Sequence, residues 1–111
     1  MAEVHKKGGV ARIIVTDVQD GQVISLPKGF MVDKVITKKI GTTAGNMAIG
    51  TTVGDYDLVL TSALGTVNGA LASQTLSVAY PLSLTADTPL YFTKSTALAT
   101  YDAYVIIKKV N

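Results

Sequence analysis

The residues of this chain that could do chemistry are few and far apart. The 111-residue sequence has eight acidic residues, one histidine and no cysteine. The histidine, His5, lies in the first nine residues, outside the predicted strands, so we expect no Ser-His-Asp or Cys-His arrangement. Without cysteine, neither a disulfide nor a thiolate metal site can form. The sequence therefore predicts a protein that is not an enzyme and needs no cofactor.

Asp55 and Asp57 are the best candidates for metal ligands. On a strand they would share one face and could contribute oxygens to a Ca²⁺ site. Known calcium loops supply more oxygen ligands than this pair. A turn aspartate followed by a solvent-facing strand aspartate is the simpler interpretation, and we predict no metal site.

The five tyrosines could line a sugar-binding surface, although tyrosines in a sandwich more often lie in the core or at an interface. They are Tyr56, Tyr80, Tyr91, Tyr101 and Tyr104. If they formed one flat exposed face, with Ca²⁺ at the aspartate pair, the protein would be a carbohydrate-binding module that recognises surface glycans. We keep that function as the alternative hypothesis.

The lysines could form two basic spots, at Lys34, Lys38 and Lys39 and at Lys108 and Lys109. The formal net charge is only +2, far from the basic excess of nucleic-acid-binding domains. Solvated strand edges explain these lysines better, and we predict no nucleic-acid partner. No apolar stretch approaches the roughly 20 residues that span a bilayer, so we predict no membrane partner.

The elements that must position all these residues are predicted to be strands. Runs rich in β-branched residues alternate with turns such as Asp20-Gly21, which predicts a hairpin, and Pro27-Lys28-Gly29. About eight short strands with glycine-rich turns are typical of an all-β, antiparallel β-sandwich or jelly roll. We place this domain at residues 10–111, after a short flexible N-terminal arm at 1–9. The predicted strands are 12–18, 22–26, 30–40, 47–49, 56–61, 76–84, 90–93 and 101–110, with a long loop at 62–75.

The longest predicted strand is Phe30–Ile40. Its even positions carry Phe30, Val32, Ile36 and Ile40, which suit a core, whereas its odd positions are only half polar. A helix is the competing interpretation, since Lys and Met tolerate helices, but the β-branched residues and bracketing glycines favour a strand.

Two other segments are apolar on both faces: Ile13-Ile14-Val15 and Tyr104-Val105-Ile106-Ile107. A strand of a lone sandwich has one face in the core and one in water, and should alternate. Either these strands are covered on both sides within the chain, or their outer side meets another subunit. A single sandwich of this length has no spare layer. We therefore predict a cyclic homo-oligomer, with Ile13, Val15, Tyr104 and Ile106 at the subunit interface.

The run from Val23 to Val59 resembles small accessory proteins of tailed bacteriophage particles. The similarity lies in a strand pair of the form I-x-L-P-x-G-F-x-V-x-x-V, followed by I-G-T-T-x-G-x-x-D-L-V, and then by L-Y-F-T and Y-V-I-I near the carboxyl end. The residues that match are Ile24, Leu26, Pro27, Gly29, Phe30, Val32, Val35, Ile49–Thr52, Gly54 and Asp57–Val59.

The resemblance implies a virion structural protein that decorates a capsid or forms a head fibre or tail part. It also implies a trimer, with the major capsid protein or other virion proteins as partners. The arm, with His5, Lys6 and Lys7, would then anchor the protein to the capsid. This family brings no catalytic residues.

Overall fold

The computed structural model describes residues 2–7, 10–52, 58–76 and 86–110. Within these ranges the chain forms strands and turns, with no helix, and hence no helix that could cross a membrane. The strands are β1 (Ala2–Lys7), β2 (Val10–Val15), β3 (Val23–Leu26), β4 (Phe30–Ile40), β5 (Asn46–Gly50), β6 (Val59–Ala63), β7 (Leu71–Gln74), β8 (Thr88–Lys94) and β9 (Thr100–Lys109).

The described strands form two antiparallel sheets that share one core. The five-stranded sheet has the order β1-β2-β9-β4-β7, and the four-stranded sheet has the order β3-β8-β5-β6. The prediction of an all-β antiparallel sandwich is therefore confirmed. β9 is the central strand of the larger sheet, with β2 on one side and β4 on the other.

The core lies between the sheets and follows the alternation of the strands. β9 alternates between buried and partly exposed residues over most of its length, as expected for a strand with one face in the core. Each large apolar side chain removed from water contributes about 1.5–3 kcal/mol. The core residues of the larger sheet include Ala11, Ile13, Val15, Val32, Val35, Tyr101, Ala103, Val105 and Ile107, and those of the smaller sheet include Ile24, Leu26, Ile49, Leu90 and Phe92.

A β-bulge in β4 corrects the predicted core face of that strand. Val32 pairs with Ile107 and Lys34 pairs with Ile106, so Asp33 is an extra residue between two consecutive pairs. Even positions face the core before the bulge, and odd positions face it afterwards. Ile36 therefore lies on the outer side, contrary to the expectation from simple alternation, and so does Ile40.

The turn at Asp20-Gly21 does not close the predicted hairpin, because the strands on its two sides belong to different sheets. The amide of Val18 donates a hydrogen bond to the Tyr101 carbonyl oxygen at 2.9 Å, alongside β9. The amide of Gly21 donates to the Phe92 carbonyl oxygen at 2.8 Å, alongside β8. The chain therefore crosses from one sheet to the other between Val18 and Gly21.

The amino-terminal segment and the predicted long loop also differ from expectation. Ala2–Lys7 was predicted as an arm without regular structure, but it pairs with β2 over its whole length. Pairing with Ala2–Lys7 provides hydrogen-bond partners for the backbone N–H and C=O groups along the open edge of β2. The sequence of Ala2–Lys7 has only a weak strand pattern and does not indicate this pairing. Leu71–Gln74, in the predicted loop, likewise pairs with β4. Most of the predicted strand at 76–84 lies outside the described residues.

Candidate functional site: the outer face of the five-stranded sheet

The outer face of the five-stranded sheet carries an apolar row that crosses three strands. The register places Ile14 of β2 opposite Tyr104 of β9, and Tyr104 opposite Ile36 of β4. Ile106 lies two residues along β9 and therefore on the same side. All four side chains are partly exposed. We call Ile14, Ile36, Tyr104 and Ile106 the apolar patch.

Positive side chains flank the apolar patch. Arg12 and Lys34 are both exposed, and the register places them on either side of Ile106. Lys108 Nζ lies 3.8 Å from Asp33 Oδ1, with the two side chains 50% and 39% exposed. An ion pair so open to solvent contributes little to stability. The patch is therefore an apolar centre with cationic neighbours.

Besides Asp33, Asp102 provides a negative charge on this face. It lies two residues before Tyr104 on β9 and is opposite Lys38 of β4. One of its carboxylate oxygens, Oδ1, accepts a hydrogen bond from the backbone amide of Asp17 at 2.9 Å. This bond holds the carboxylate at the end of the sheet where β9 begins.

The outer face of the four-stranded sheet has a different character. Ser25 of β3 lies opposite Pro89 of β8, and Val23 lies opposite Tyr91. Val23 is 52% exposed and Tyr91 is partly exposed, but the next outward positions along these two strands carry Ser25, Pro89 and Thr93. The described residues of this sheet form no apolar row comparable to the patch on the other side.

The structure corrects half of the predicted subunit interface. Ile13 and Val15 are only 1% and 0% exposed and belong to the core, so their assignment to an interface is wrong. Tyr104 and Ile106 do lie on the outer side. Ile14 was missed, although the sequence held a clue. Arg12 must face solvent in β2, and the strand period of two then places Ile14 outward with it.

The structure does not describe the side chains of the remaining predicted site residues. His5, Lys6 and Lys7 lie on β1, and their side chains are outside the description, so the capsid anchor stays a prediction. Asp55 and Asp57 lie outside the described residues. Elsewhere in the described chain, no group of three His, Asp or Glu side chains could hold a metal ion.

The tyrosines are dispersed rather than aligned. Tyr91 is on the outer face of the four-stranded sheet, Tyr104 is on that of the five-stranded sheet, and Tyr101 is buried between them. Tyr56 and Tyr80 lie outside the described residues. The described tyrosines thus provide no common flat surface for a sugar.

Two buried residues with polar groups, Lys39 and Tyr101, lie in the core where β9 begins. Lys39 is only 1% exposed and faces the core, paired across the sheet with Tyr101. Its Nζ donates hydrogen bonds to the carbonyl oxygens of Ile40 at 3.0 Å and Thr100 at 3.2 Å. The Tyr101 hydroxyl is buried with no hydrogen-bond partner among the described residues. Lys39 is therefore part of the interior and not of a basic surface spot.

Comparisons with known proteins do not identify a family. No family model matches the chain, and no curated protein matches it. Among solved structures, the chain is similar to FeII HppE in complex with substrate, with a TM-score of 0.41 and 9% identity over 97% of this chain and 53% of that one. It is also similar to the Tobacco streak virus coat protein, with a TM-score of 0.35 and 8% identity over 98% of this chain and 85% of that one. The chain spans about half the length of the HppE chain.

Proposed function

We propose that this protein is a non-enzymatic structural subunit of a bacteriophage particle, where it decorates the capsid or forms a head fibre. In this proposal it self-associates through the apolar patch and attaches to the major capsid protein or another virion protein. The observation that carries the self-association is the row Ile14–Tyr104–Ile36, which lies on an outer face that no further layer of the described chain covers. The assignment to a phage particle is supported by the sequence resemblance described above.

The physical argument for self-association is the burial of apolar surface. Monomeric proteins seldom expose a contiguous apolar patch of more than a few hundred square ångströms. Covering Ile36, Tyr104 and their neighbours with a second copy removes apolar area from water at about 25 cal/mol per Å². The outer face of the four-stranded sheet, with Ser25 and Pro89, would bury less apolar area on association.

The test is the solution mass of the native chain and of Ile106→Glu. Arg12 and Lys34 lie on both sides of position 106, so a glutamate there keeps favourable cross-strand pairs and the fold. It would nevertheless place a carboxylate in the subunit contact, where its desolvation is costly. We expect an oligomer for the native chain and a monomer for Ile106→Glu at micromolar concentration, measured by light scattering.

Val23→Glu is the matched control, because it makes the same kind of change on the outer face of the other sheet. We expect it to keep the native mass. A monomeric native chain would contradict self-association. Purified phage particles that lack the protein would contradict the virion assignment, whatever the solution mass.

A further inference from the structure

The outward side chains of β9, the central strand of the five-stranded sheet, are complementary to those of a second β9 that runs in the opposite direction. The outward residues of β9 are, in order, Asp102, Tyr104, Ile106 and Lys108. They run from acid through two apolar residues to base. An inverted second copy would therefore offer a base to the acid and an apolar residue to each apolar residue.

We propose that two copies of this chain stack outer face on outer face, with their β9 strands antiparallel about a two-fold axis between Tyr104 and Ile106. This arrangement rests on the proposed self-association and specifies its geometry. Asp102 of each copy lies over Lys108 of the other, and Tyr104 lies over Ile106. Every contact occurs twice, as a two-fold interface requires.

The flanking strands fit the same arrangement. The two-fold axis lies midway between the two sheets, parallel to them and perpendicular to the strands, so it stacks β2 on β2 and β4 on β4. Arg12 then lies over Ile14 of the second copy, and Lys34 lies over Ile36. Arginine and lysine cover apolar neighbours with their aliphatic stems while the charged ends reach water at the rim.

The opposite orientation of the two copies is unfavourable. With β9 strands parallel, Asp102 would lie over Asp102 and Lys108 over Lys108, while β2 would stack on β4. Arg12 would then face Lys34 of the second copy. Juxtaposed like charges at an interface are strongly disfavoured, so the charge pattern selects the antiparallel stack.

The size of the molecule is sufficient for such a contact. Its longest principal extents are 40 and 26 Å. A standard interface covers about 800 Å² of each partner. Sheets stacked face to face lie about 10 Å apart, a distance that a lysine and an aspartate can bridge.

The first test is a charge exchange. We expect Asp102→Lys and Lys108→Asp each to weaken the association at least about tenfold, because each brings like charges together at two symmetric places. The double variant restores opposite charges across the axis, and its dissociation constant should return to within about threefold of the native value. Sedimentation of all four proteins over a range of concentrations measures this, after circular dichroism has verified each fold.

The second test needs no variant. Within one chain, Asp102 and Lys108 lie on one strand, about 20 Å apart at the usual rise per residue. A zero-length carbodiimide cross-link between them can therefore form only between two copies. We expect mass spectrometry to find that linked peptide pair, containing one light and one heavy chain, in an equal mixture of unlabelled and ¹⁵N-labelled protein.

The outcomes separate this geometry from the self-association on which it rests. An oligomer in which the double variant stays as weak as the single ones, or whose Asp102–Lys108 cross-link is absent, overturns the antiparallel stack and leaves self-association standing. A clean trimer does the same, because a two-fold contact joins subunits in pairs. A native monomer at every concentration overturns both. If the outer face is protected from solvent only on phage particles, it contacts another virion protein. That result would also overturn the stack.

Discussion

Tyr101 places a polar group in the core without a compensating bond. Its ring is buried, and its hydroxyl has no hydrogen-bond partner among the described residues. Burial raises the pKa of Tyr101 above the ordinary value for tyrosine, and the negative charge of Asp20 raises it further. Both effects penalise the phenolate, so the folded protein holds this proton more tightly than the unfolded chain does.

We expect Tyr101→Phe to stabilise the protein by about 1 kcal/mol near neutral pH, because it removes a buried group that is left unsatisfied. The sign of the alkaline effect follows from the raised pKa. Above about pH 10 the unfolded tyrosine loses its proton while the folded one keeps it, so native stability falls by up to about 1.4 kcal/mol per pH unit. Tyr101→Phe lacks this ionisable group, so its free energy of unfolding should fall less above about pH 10 than that of the native chain.

Urea denaturation of both proteins between neutral and strongly alkaline pH measures the difference. Tyr104→Phe is the control, because it removes a hydroxyl from the outer face and leaves Tyr101 in place. If the alkaline decline of Tyr101→Phe equals that of the native chain, the buried hydroxyl is not its source.

Lys39 shows how a single residue can defeat sequence reasoning. A lysine beside Lys38 in a strand is expected at the surface, yet Lys39 is buried and bonds to two backbone carbonyl oxygens. Those acceptors satisfy part of its hydrogen-bonding capacity, which makes the burial of its ammonium group tolerable. The local sequence pattern does not indicate these hydrogen-bond acceptors, because the carbonyl oxygens of Ile40 and Thr100 come within reach of Lys39 only after folding.

At the level of elements, β7 is the shortest strand of the five-stranded sheet, and a buried polar contact ties it to the other sheet. Ser62 of β6 donates from Oγ to Gln74 Oε1 at 2.5 Å, and Gln74 Nε2 donates to Thr37 Oγ1 at 3.0 Å. Gln74 therefore links β4 and β7 of one sheet to β6 of the other.

We expect Gln74→Leu to destabilise the protein by about 1–3 kcal/mol, because it keeps the bulk of the side chain but leaves the buried Thr37 hydroxyl without this partner. The amides of β7 should exchange hydrogen faster than in the native chain, since the strand loses its connection to β6. Hydrogen exchange with mass spectrometry, together with urea denaturation, measures both effects.

Ser73→Ala is the control for this contact, because Ser73 lies next to Gln74 but is exposed on the outer side. We expect it to change stability by less than about 0.5 kcal/mol. Equal effects of the two variants would show that strand pairing alone, and not the contact through Gln74, holds β7 in place.

The sequence was sufficient to predict the architecture, but not which face of every strand points to the core. The β-branched runs and glycine turns predicted an antiparallel sandwich because those local signals act over a few residues. The outward position of Ile36 depends on the bulge at Asp33, which forms only when β4 pairs with β9. The crossing between Val18 and Gly21 likewise depends on bonds to two strands distant in the sequence.

The same limit applies to the candidate site. Two apolar faces on neighbouring strands predicted an interface, and Tyr104 and Ile106 do lie on the outer side. Ile13 was assigned to the wrong side although Arg12, the residue before it, indicates the solvent-facing side of β2. The side of Ile36 could not be found in this way, because it depends on the bulge at Asp33.

At the scale of the whole molecule, the composition agrees with a protein that buries surface against copies of itself. Charged residues make up only 16% of the chain, below the roughly 25% of an average soluble domain. A monomer with this composition has little charge with which to cover its surface. Association makes apparent stability depend on protein concentration, because binding favours the folded state.

We expect the thermal midpoint of the native chain to rise by several degrees over a roughly hundredfold increase in concentration. Ile36→Thr should abolish that dependence, because it keeps a β-branched residue in β4 but removes apolar area from the patch. Differential scanning fluorimetry measures the midpoints, and Val23→Thr on the other sheet should behave like the native chain. A concentration dependence that survives Ile36→Thr would place the contact elsewhere.

The extra residue in β4 also has an evolutionary consequence. Without Asp33, Val32 and Lys34 would be consecutive residues opposite Ile107 and Ile106, so the strand would alternate simply with the same partners on β9. Ile36 would still face outward and Lys39 inward. A lineage could therefore lose this single codon and keep its adhesive exterior, so strand length at this point is no marker of assembly behaviour.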